Sequence, residues 1–474
     1  MTDINFIGFS LVLGSMLFGC QANESATSLQ IKPNIIYILA DDLGYGDLGC
    51  YSQEMIKTPN LDKMAAEGMR FTQHYAGSTV CAPSRCALMT GYHTGHATIR
   101  GNKRVPLSSQ DTTIASVLQN AGYQTGLIGK WGLGETGSEG TPNQQGFDFF
   151  YGYQNQTRAH NYYPDYLWRN NEKEMLPNEV VYEEKGYAKG IGSAASKKVT
   201  YSHDLFTQES LDFIEHAQSE PFFLYLAYTI PHTNNQHKLV SDHGQEVPDL
   251  GIYENENWSE VQKSTAAMIS RMDRDIGSII EKIKELGLDQ RTVVFFSSDN
   301  GPHSEGRNDP HFFDSNGPFQ GIKRDLTEGG IRVPFIVRWP GTITPGTVSS
   351  TPSAFWDFFP TACDIATITA PNDIDGTSLL PTLMGSGDIQ HDRPLYWEFH
   401  EQDGKQAILQ HPWKGIKVGV KSNPDTILMV YNLDQDPGET EDVGKIHPEI
   451  KANLAKLLQQ SRTKSEEFLF PWEE

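Results

Sequence analysis

The sequence predicts an α/β fold: a large, mostly parallel sheet sandwiched by helices, followed by a smaller C-terminal antiparallel-sheet subdomain. Three observations predict it. Short, strongly apolar runs such as NIIYILA (34–40), PFFLYLAYT (221–229) and TVVFFSS (292–298) recur along the chain. Capped amphipathic segments alternate with them, as expected of buried parallel strands covered on both faces. Beyond DIDGTSLLPTLMG (373–385) the texture changes to short strands separated by turns.

The elements follow in order. Residues 34–40 end in charge and read as the first buried strand. TPNLDKMAAEG (58–68) predicts a helix with Thr58 as N-cap, Pro59 in the first position and Gly68 just past the end. SQDTTIASVLQNAG (109–122) predicts another capped helix, and YQTGLIG (123–129) the strand after it. A helix over 205–216 precedes the strand 221–229, and a long amphipathic helix over 257–287 precedes the strand 292–298. IRVPFIVRW (331–339) reads as one more strand. The polar segments 170–200 and 233–256 read as surface loops around a site. Residues 30–385 thus form the main domain and 386–474 the second. In the latter, PLYWEF, KGIKVGVK and TILMVYNL give antiparallel strands and 444–461 a last helix.

Charge and cysteines narrow the function. Lys and Arg total 38 against 60 Asp and Glu, a formal net charge of −22. That balance excludes an overall basic footprint for nucleic acid and argues against broad adhesion to anionic lipid. Phe6 to Gly19 is an apolar run too short to span a bilayer but suited to a signal-peptide core, so 1–20 reads as a leader. Leu17-Phe18-Gly19-Cys20 resembles a bacterial lipobox; Phe18 is bulky for it and the first five residues carry no Lys or Arg. The expectation is an exported protein, periplasmic or on the outer membrane, with the leader either lipidated at Cys20 or cleaved without lipid. Cys50, Cys81, Cys86 and Cys363 could form two disulfides in an oxidising compartment, yet no CxxC or zinc spacing is present.

In an open α/β sheet, ligands bind beyond the carboxyl ends of the strands. The strand 34–40 runs into Asp41-Asp42, and the strand 292–298 into Asp299-Asn300-Gly301. Three carboxylates and an amide oxygen make a hard, oxygen-only set suited to Ca²⁺ or Mg²⁺. Either pair alone reads better as a cap or turn; the two together point to a metal. Cys81-Ala-Pro-Ser-Arg85 then places a thiol at the start of a helix beside a cation, the setting of a nucleophile or its precursor.

CAPSR followed by MTG (81–91) resembles the C-x-P-S-R-x-x-x-x-T-G signature of the type I, formylglycine-dependent sulfatases of the alkaline phosphatase superfamily. NIIYILADDLGYGDLGCY, GKWGLG (129–134), FLYLAYTIPH (223–232), SSDNG (297–301) and GIKRDLTEGGIRVP (321–334) occur in that family's order. The resemblance implies that a maturation enzyme oxidises Cys81 to formylglycine. A hydroxyl of the hydrated aldehyde then attacks sulfur. It implies one Ca²⁺ held by Asp41, Asp42, Asp299 and Asn300 together with the modified Cys81, Asp299 also taking the nucleophile's proton. It further implies that Arg85 anchors the diol, that Lys130 and Lys323 hold sulfate oxygens, and that His232 protonates the leaving oxygen. Where the family commonly has GKWHLG, this chain has Gly132, so His160 and His303 are candidate substitutes or substrate contacts, and Arg158 a further contact. Carbohydrate-directed branches, some acting on sulfated galactose or N-acetylgalactosamine, are the nearest in character. The competing readings are a phosphate or phosphonate ester hydrolase of the same superfamily and a non-catalytic lipoprotein that binds sulfated glycan.

Overall fold

Ten strands form the main sheet of this computed structural model, which describes residues 1–2 and 32–473. Their order across the sheet is Thr347–Ser349, Met69–Phe71, Phe335–Arg338, Thr292–Ser298, Asn34–Asp41, Phe222–Pro231, Gln124–Lys130, Phe149–Tyr153, Tyr166–Arg169 and Glu172–Met175. The five strands from Thr292–Ser298 to Phe149–Tyr153 are mutually parallel. Both flanks turn antiparallel, so the sheet is mixed at its edges and parallel where the site lies.

Side chains alternate across the central strand. Ile36, Ile38 and Ala40 pack with the helices Pro59–Glu67, Ser202–Ala217 and Glu260–Glu285. Ile35, Tyr37 and Leu39 pack on the other face with Cys81–Thr90, Ile114–Asn120 and Phe358–Ile365. All eight residues of the strand are buried, which is why it reads as a continuous apolar run rather than an alternation.

Several boundaries differ from the sequence expectation. The helix expected from Ser109 begins at Ile114, because Thr113 is the N-cap, its hydroxyl accepting from the Ser116 amide. Ser108 and Asp111 instead close a turn of their own. Pro334 cannot donate to a ladder, so the strand expected over 331–339 is confined to Phe335–Arg338, with a helical turn at Glu328–Ile331 before it. Residues 170–200 are not all loop: Glu172–Met175 adds an edge strand, and Glu179–Tyr182 pairs with Ser193–Lys197. Solvated edge strands carry polar side chains on both faces, which hides them from hydropathy.

The second sheet has four antiparallel strands, Leu395–Phe399, Lys405–Gln410, Trp413–Val418 and Met429–Asn432. Lys405–Gln410 was not anticipated. One face packs Leu395, Trp397 and Phe399 against Tyr75, Val80 and Trp356 of the main body. The other packs Tyr396, Ile408 and Val430 against Leu454 and Leu458 of the helix Pro448–Gln460. From Lys32 onward the chain is one compact unit. No helix among the described residues is long and apolar enough to cross a membrane. The leader and Cys20 lie outside the described residues. Cys50, Cys81, Cys86 and Cys363 are all free thiols, so the pairing allowed by their number is not made.

Candidate active site

Four adjacent parallel strands deliver the site. At their carboxyl ends stand Asp299-Asn300, Asp41-Asp42, His232 and Lys130, in the order the strands lie in the sheet. The helix Cys81–Thr90 points its first residue, Cys81, at the same edge, with Arg85 one turn on. Lys323 comes from the loop after the strand Thr292–Ser298. Every one of these side chains is buried, none more than 5% exposed.

Backbone geometry locks the two acidic pairs together. Asp42 has a left-handed φ of 67°, which Asp tolerates better than most residues. Its amide donates to Asp299 Oδ1 at 3.1 Å, and the Leu43 amide to Ser298 Oγ at 2.9 Å. Asn300 Nδ2 donates to Asp42 Oδ1 at 2.7 Å, leaving Asn300 Oδ1 buried with no partner. An orphaned amide oxygen beside three buried carboxylates fits a hard divalent cation, whose ligands are oxygens of this kind.

Cations surround the carboxylates. Arg85 donates twice to Asp299 Oδ2, at 3.1 and 2.8 Å, and once to the Lys130 carbonyl at 2.8 Å. Lys130 Nζ lies 2.6 Å from Asp41 Oδ2, and Lys323 Nζ 2.8 Å from Asp42 Oδ2. Burial by itself raises Asp41, but Lys130, His232 and Arg85 together hold its carboxyl far below the usual range. Asp299 goes the other way, pushed up to about 7 by burial and then by Asp41, against the pull of Arg85.

Cys81 Sγ is 3.4 Å from Asp41 Oδ1. Burial, and next the Asp41 charge, push its thiol well above the ordinary cysteine value. An unmodified thiol here is therefore a poor nucleophile. His232 donates from Nδ1 to the Thr233 carbonyl at 2.6 Å, leaving Nε2 to accept from Lys323 Nζ at 3.1 Å. Burial and then Lys323 hold the imidazole well below its usual range. Nε2 is thus the ring nitrogen turned toward Lys323 and the cavity that holds Cys81.

The remaining candidates divide. His160 stacks on His232, centroids 4.3 Å apart, and lines the cavity that holds Cys81. His303 lies behind His232 at 5.9 Å, its Nε2 3.4 Å from the Pro231 carbonyl, and does not line that cavity. Arg158 is not a cavity residue either. Its guanidinium sits over the Tyr166 ring at 3.6 Å and bonds Tyr182 and Asp165, a buried structural pairing that desolvation enforces. Sequence reasoning missed Glu305, whose carboxylate is 3.2 Å from Lys323 Nζ and pairs with Arg324. It lies four residues past Gly301 in a loop with no periodicity to flag it.

A second group, His93, His96 and Asp375, is not arranged for a metal. The Gly95 amide donates to His93 Nδ1 at 3.1 Å, so the other ring nitrogen carries the proton and has no lone pair to offer. His96 Nδ1, 2.9 Å from Asp375, pins the loop instead.

A family model described as Sulfatase matches residues 33–368, and one described as N-sulphoglucosamine sulphohydrolase, C-terminal, matches 318–464. The chain is 30% identical to N-acetylgalactosamine-6-sulfatase of Homo sapiens, over 90% of this chain and 84% of that one. It is 29% identical to N-acetylgalactosamine-6-O-sulfatase of Bacteroides thetaiotaomicron, over 95% and 97% respectively. Among solved structures, Ps i-CgsB superposes with a TM-score of 0.77 at 28% identity, covering 93% of this chain and 96% of that one. The same protein is known in complex with a neocarrahexaose. With matches of this breadth converging on one description, the chain belongs to the sulfatase family and is a sulfuric ester hydrolase.

Proposed function

We propose that this sulfatase releases sulfate from a glycan containing sulfated galactose or N-acetylgalactosamine, using one Ca²⁺ and a formylglycine made from Cys81. The observation that carries the reading is the convergence of Cys81, four oxygen ligands and three buried cations at one strand edge. The names of the relatives, N-acetylgalactosamine-6-sulfatases, support the sugar class.

Asp41, Asp42, Asp299 and Asn300 would hold the ion, which supplies positive charge against the sulfate oxygens. A formylglycine at position 81 supplies an oxygen nucleophile where the thiol is a weak one. The chain's own groups do the rest. Lys130 and Lys323 bind sulfate oxygens and meet the negative charge that grows as the S–O bond breaks. Arg85 fixes Asp299, the carboxylate placed to take the nucleophile's proton. His232, its Nε2 3.1 Å from Lys323 Nζ, is placed to protonate the leaving oxygen.

The test is sulfate release from N-acetylgalactosamine 6-sulfate by protein whose Cys81 conversion is verified by intact mass. Release should fall at least a thousand-fold in Cys81→Ala, and should stop on chelation and return with Ca²⁺. Faster turnover of the matching phosphate ester, or no release from any sulfated galactose derivative, overturns the reading. We also place the protein outside the cytoplasm, from the apolar stretch Phe6 to Gly19 ending at Cys20. Full-length protein that stays cytoplasmic, with its leader intact, in a Gram-negative host would refute this.

A further inference from the structure

The cavity holding Cys81 has a volume of about 390 Å³ and is lined by Asn102, Gln156, His160, His232 and Lys323 among others. A second cavity, of about 250 Å³, opens beside it around Gly132. The two adjoin: Gln156 lines both, and Ala82, the neighbour of Cys81, lines the second. The first alone is near the small end of ligand sites, roughly 300–1,000 Å³, so the pair offers room for more than one sugar ring.

The second cavity is built for a polar guest. Gly132 has φ +81°, and a Cβ there would meet only Gln156, at 3.4 Å and 3.7 Å. The positive φ favours glycine here, and the missing side chain also keeps the space open. The walls set the amides and hydroxyls of Gln154, Gln156, Thr136 and Ser138 beside Val105 and Pro106, with Glu135 as the one acid and Lys103 and Arg104 as the cations. Gln154 Nε2 and Gln156 Oε1 have no hydrogen-bond partner in the protein, and Gln154 is 2% exposed. Unpaired groups of this kind are a cost that a bound ligand can relieve.

Arg104 stands at the rim. Its guanidinium lies 4.2 Å from the Tyr187 ring centre and donates to the Tyr187 carbonyl at 2.9 Å. Tyr187 in turn donates from its hydroxyl to the Asn102 carbonyl at 3.1 Å. Tyr187 and Asn102 line the Cys81 cavity while Arg104 lines the second, so this latch stands between them. Among the described residues no carboxylate is within ion-pair distance of Arg104, in a chain with 60 acidic and 38 basic residues. A planar cation left without an acid, held by stacking, suits a carboxylate or sulfate oxygen pair.

We infer that the Gly132 cavity is a subsite for the sugar next to the one bearing the scissile ester, and that Arg104 selects a neighbour carrying a carboxylate or sulfate. The inference rests on the glycan-sulfatase reading above. It is tested with converted, Ca²⁺-loaded enzyme on N-acetylgalactosamine 6-sulfate and on disaccharides joining it to a uronic acid, to a sulfated hexose, or to the carboxyl-reduced sugar. Wild-type kcat/KM should be at least ten-fold higher for one of the two acidic disaccharides than for the monosaccharide or the reduced disaccharide. Arg104→Gln should cut that acidic-to-reduced ratio about ten-fold. Thr136→Trp, which fills the cavity from an exposed loop, should cut the disaccharide-to-monosaccharide ratio. Equal turnover of all four sugars, or ratios untouched by both variants, overturns the subsite. Absence of sulfate release from every sugar would instead strike the parent reading. Calorimetric binding of the acidic and reduced disaccharides, wild type against Arg104→Gln, would then decide the subsite: acid-selective binding lost in the variant supports it, and equal binding rejects it.

Discussion

Arg85 makes all its bonds inside the protein, two to Asp299 Oδ2 and one to the Lys130 carbonyl. Those contacts tie the Asp299 carboxylate on one strand to Lys130 at the end of another, the two groups proposed above to hold the ion and the sulfate. A lysine at position 85 would keep the charge but has one nitrogen on a flexible stem, which cannot span both acceptors. Arg85→Lys should therefore lower kcat by about 10–100-fold, the usual loss when a group that orients a metal ligand is removed. It should also raise the Ca²⁺ concentration needed for half-maximal turnover. Sulfate-release kinetics across a Ca²⁺ series check this, and an unchanged Ca²⁺ dependence would show that Arg85 does not orient Asp299. The same scale explains what the sequence disclosed. Asp41, Asp42, Asp299 and Asn300 were legible as one cluster only because two polar pairs end strands of the same sheet edge; either pair alone reads as a cap or turn. Arg158 misled, since an Arg among aromatic residues reads alike whether it meets a sugar or the faces of its own tyrosines. Glu305 was illegible because only the fold brings it to Lys323.

At the scale of elements, the strand Gln124–Lys130 shows how closely the sheet edge is set. Gly129 has φ +109°, and a Cβ there would lie 1.9 Å from the Ala227 carbonyl oxygen on the neighbouring strand. The next residue is Lys130, so the close approach that requires glycine also aims the lysine at Asp41. Gly137 gives a control: φ +98° but nothing within 4 Å of its Cβ position. Gly129→Ala should cost about 3 kcal/mol or more in urea unfolding, from strain plus collision, whereas Gly137→Ala should cost about 1 kcal/mol from strain alone. Equal losses would mean that the strands separate easily and that the approach does not set the geometry. Elements of this parallel centre were readable from hydropathy because both faces are covered. The edges were not: Glu172–Met175 faces solvent, and Lys405–Gln410 mixes one charged and two amide side chains with its apolar ones.

At the scale of the molecule, the two sheets are joined by buried charge as well as by apolar contact, and the joint lies near the site. Lys414, on the second sheet, reaches Glu328 at 2.7 Å and Glu439 at 2.9 Å, with none of the three side chains exposed. Glu328 also receives Arg332 at 3.0 Å and the Tyr75 hydroxyl at 2.9 Å. Burial, followed in effect by the pull of Lys414 and the push of Glu328, leaves Glu439 raised to about 7. Lys405 of the same sheet donates to the Arg324 carbonyl at 2.7 Å and to Asp325 at 2.9 Å, holding the loop that presents Lys323. The second sheet thus fixes a loop of the first. Removing Lys414 leaves two carboxylates facing each other without their shared cation, and breaking a buried pair in this way costs about 3–5 kcal/mol. Lys414→Met should show that loss in urea unfolding. Adding Glu439→Gln should return part of it, because the amide removes one of the stranded charges while keeping an acceptor for the Glu328 amide. At temperatures where Lys414→Met remains folded, kcat should fall more than KM rises, as the role proposed for Lys323 in meeting transition-state charge requires. A destabilised variant whose kcat is unchanged would show that the joint supports the fold alone and does not extend to the Lys323 loop.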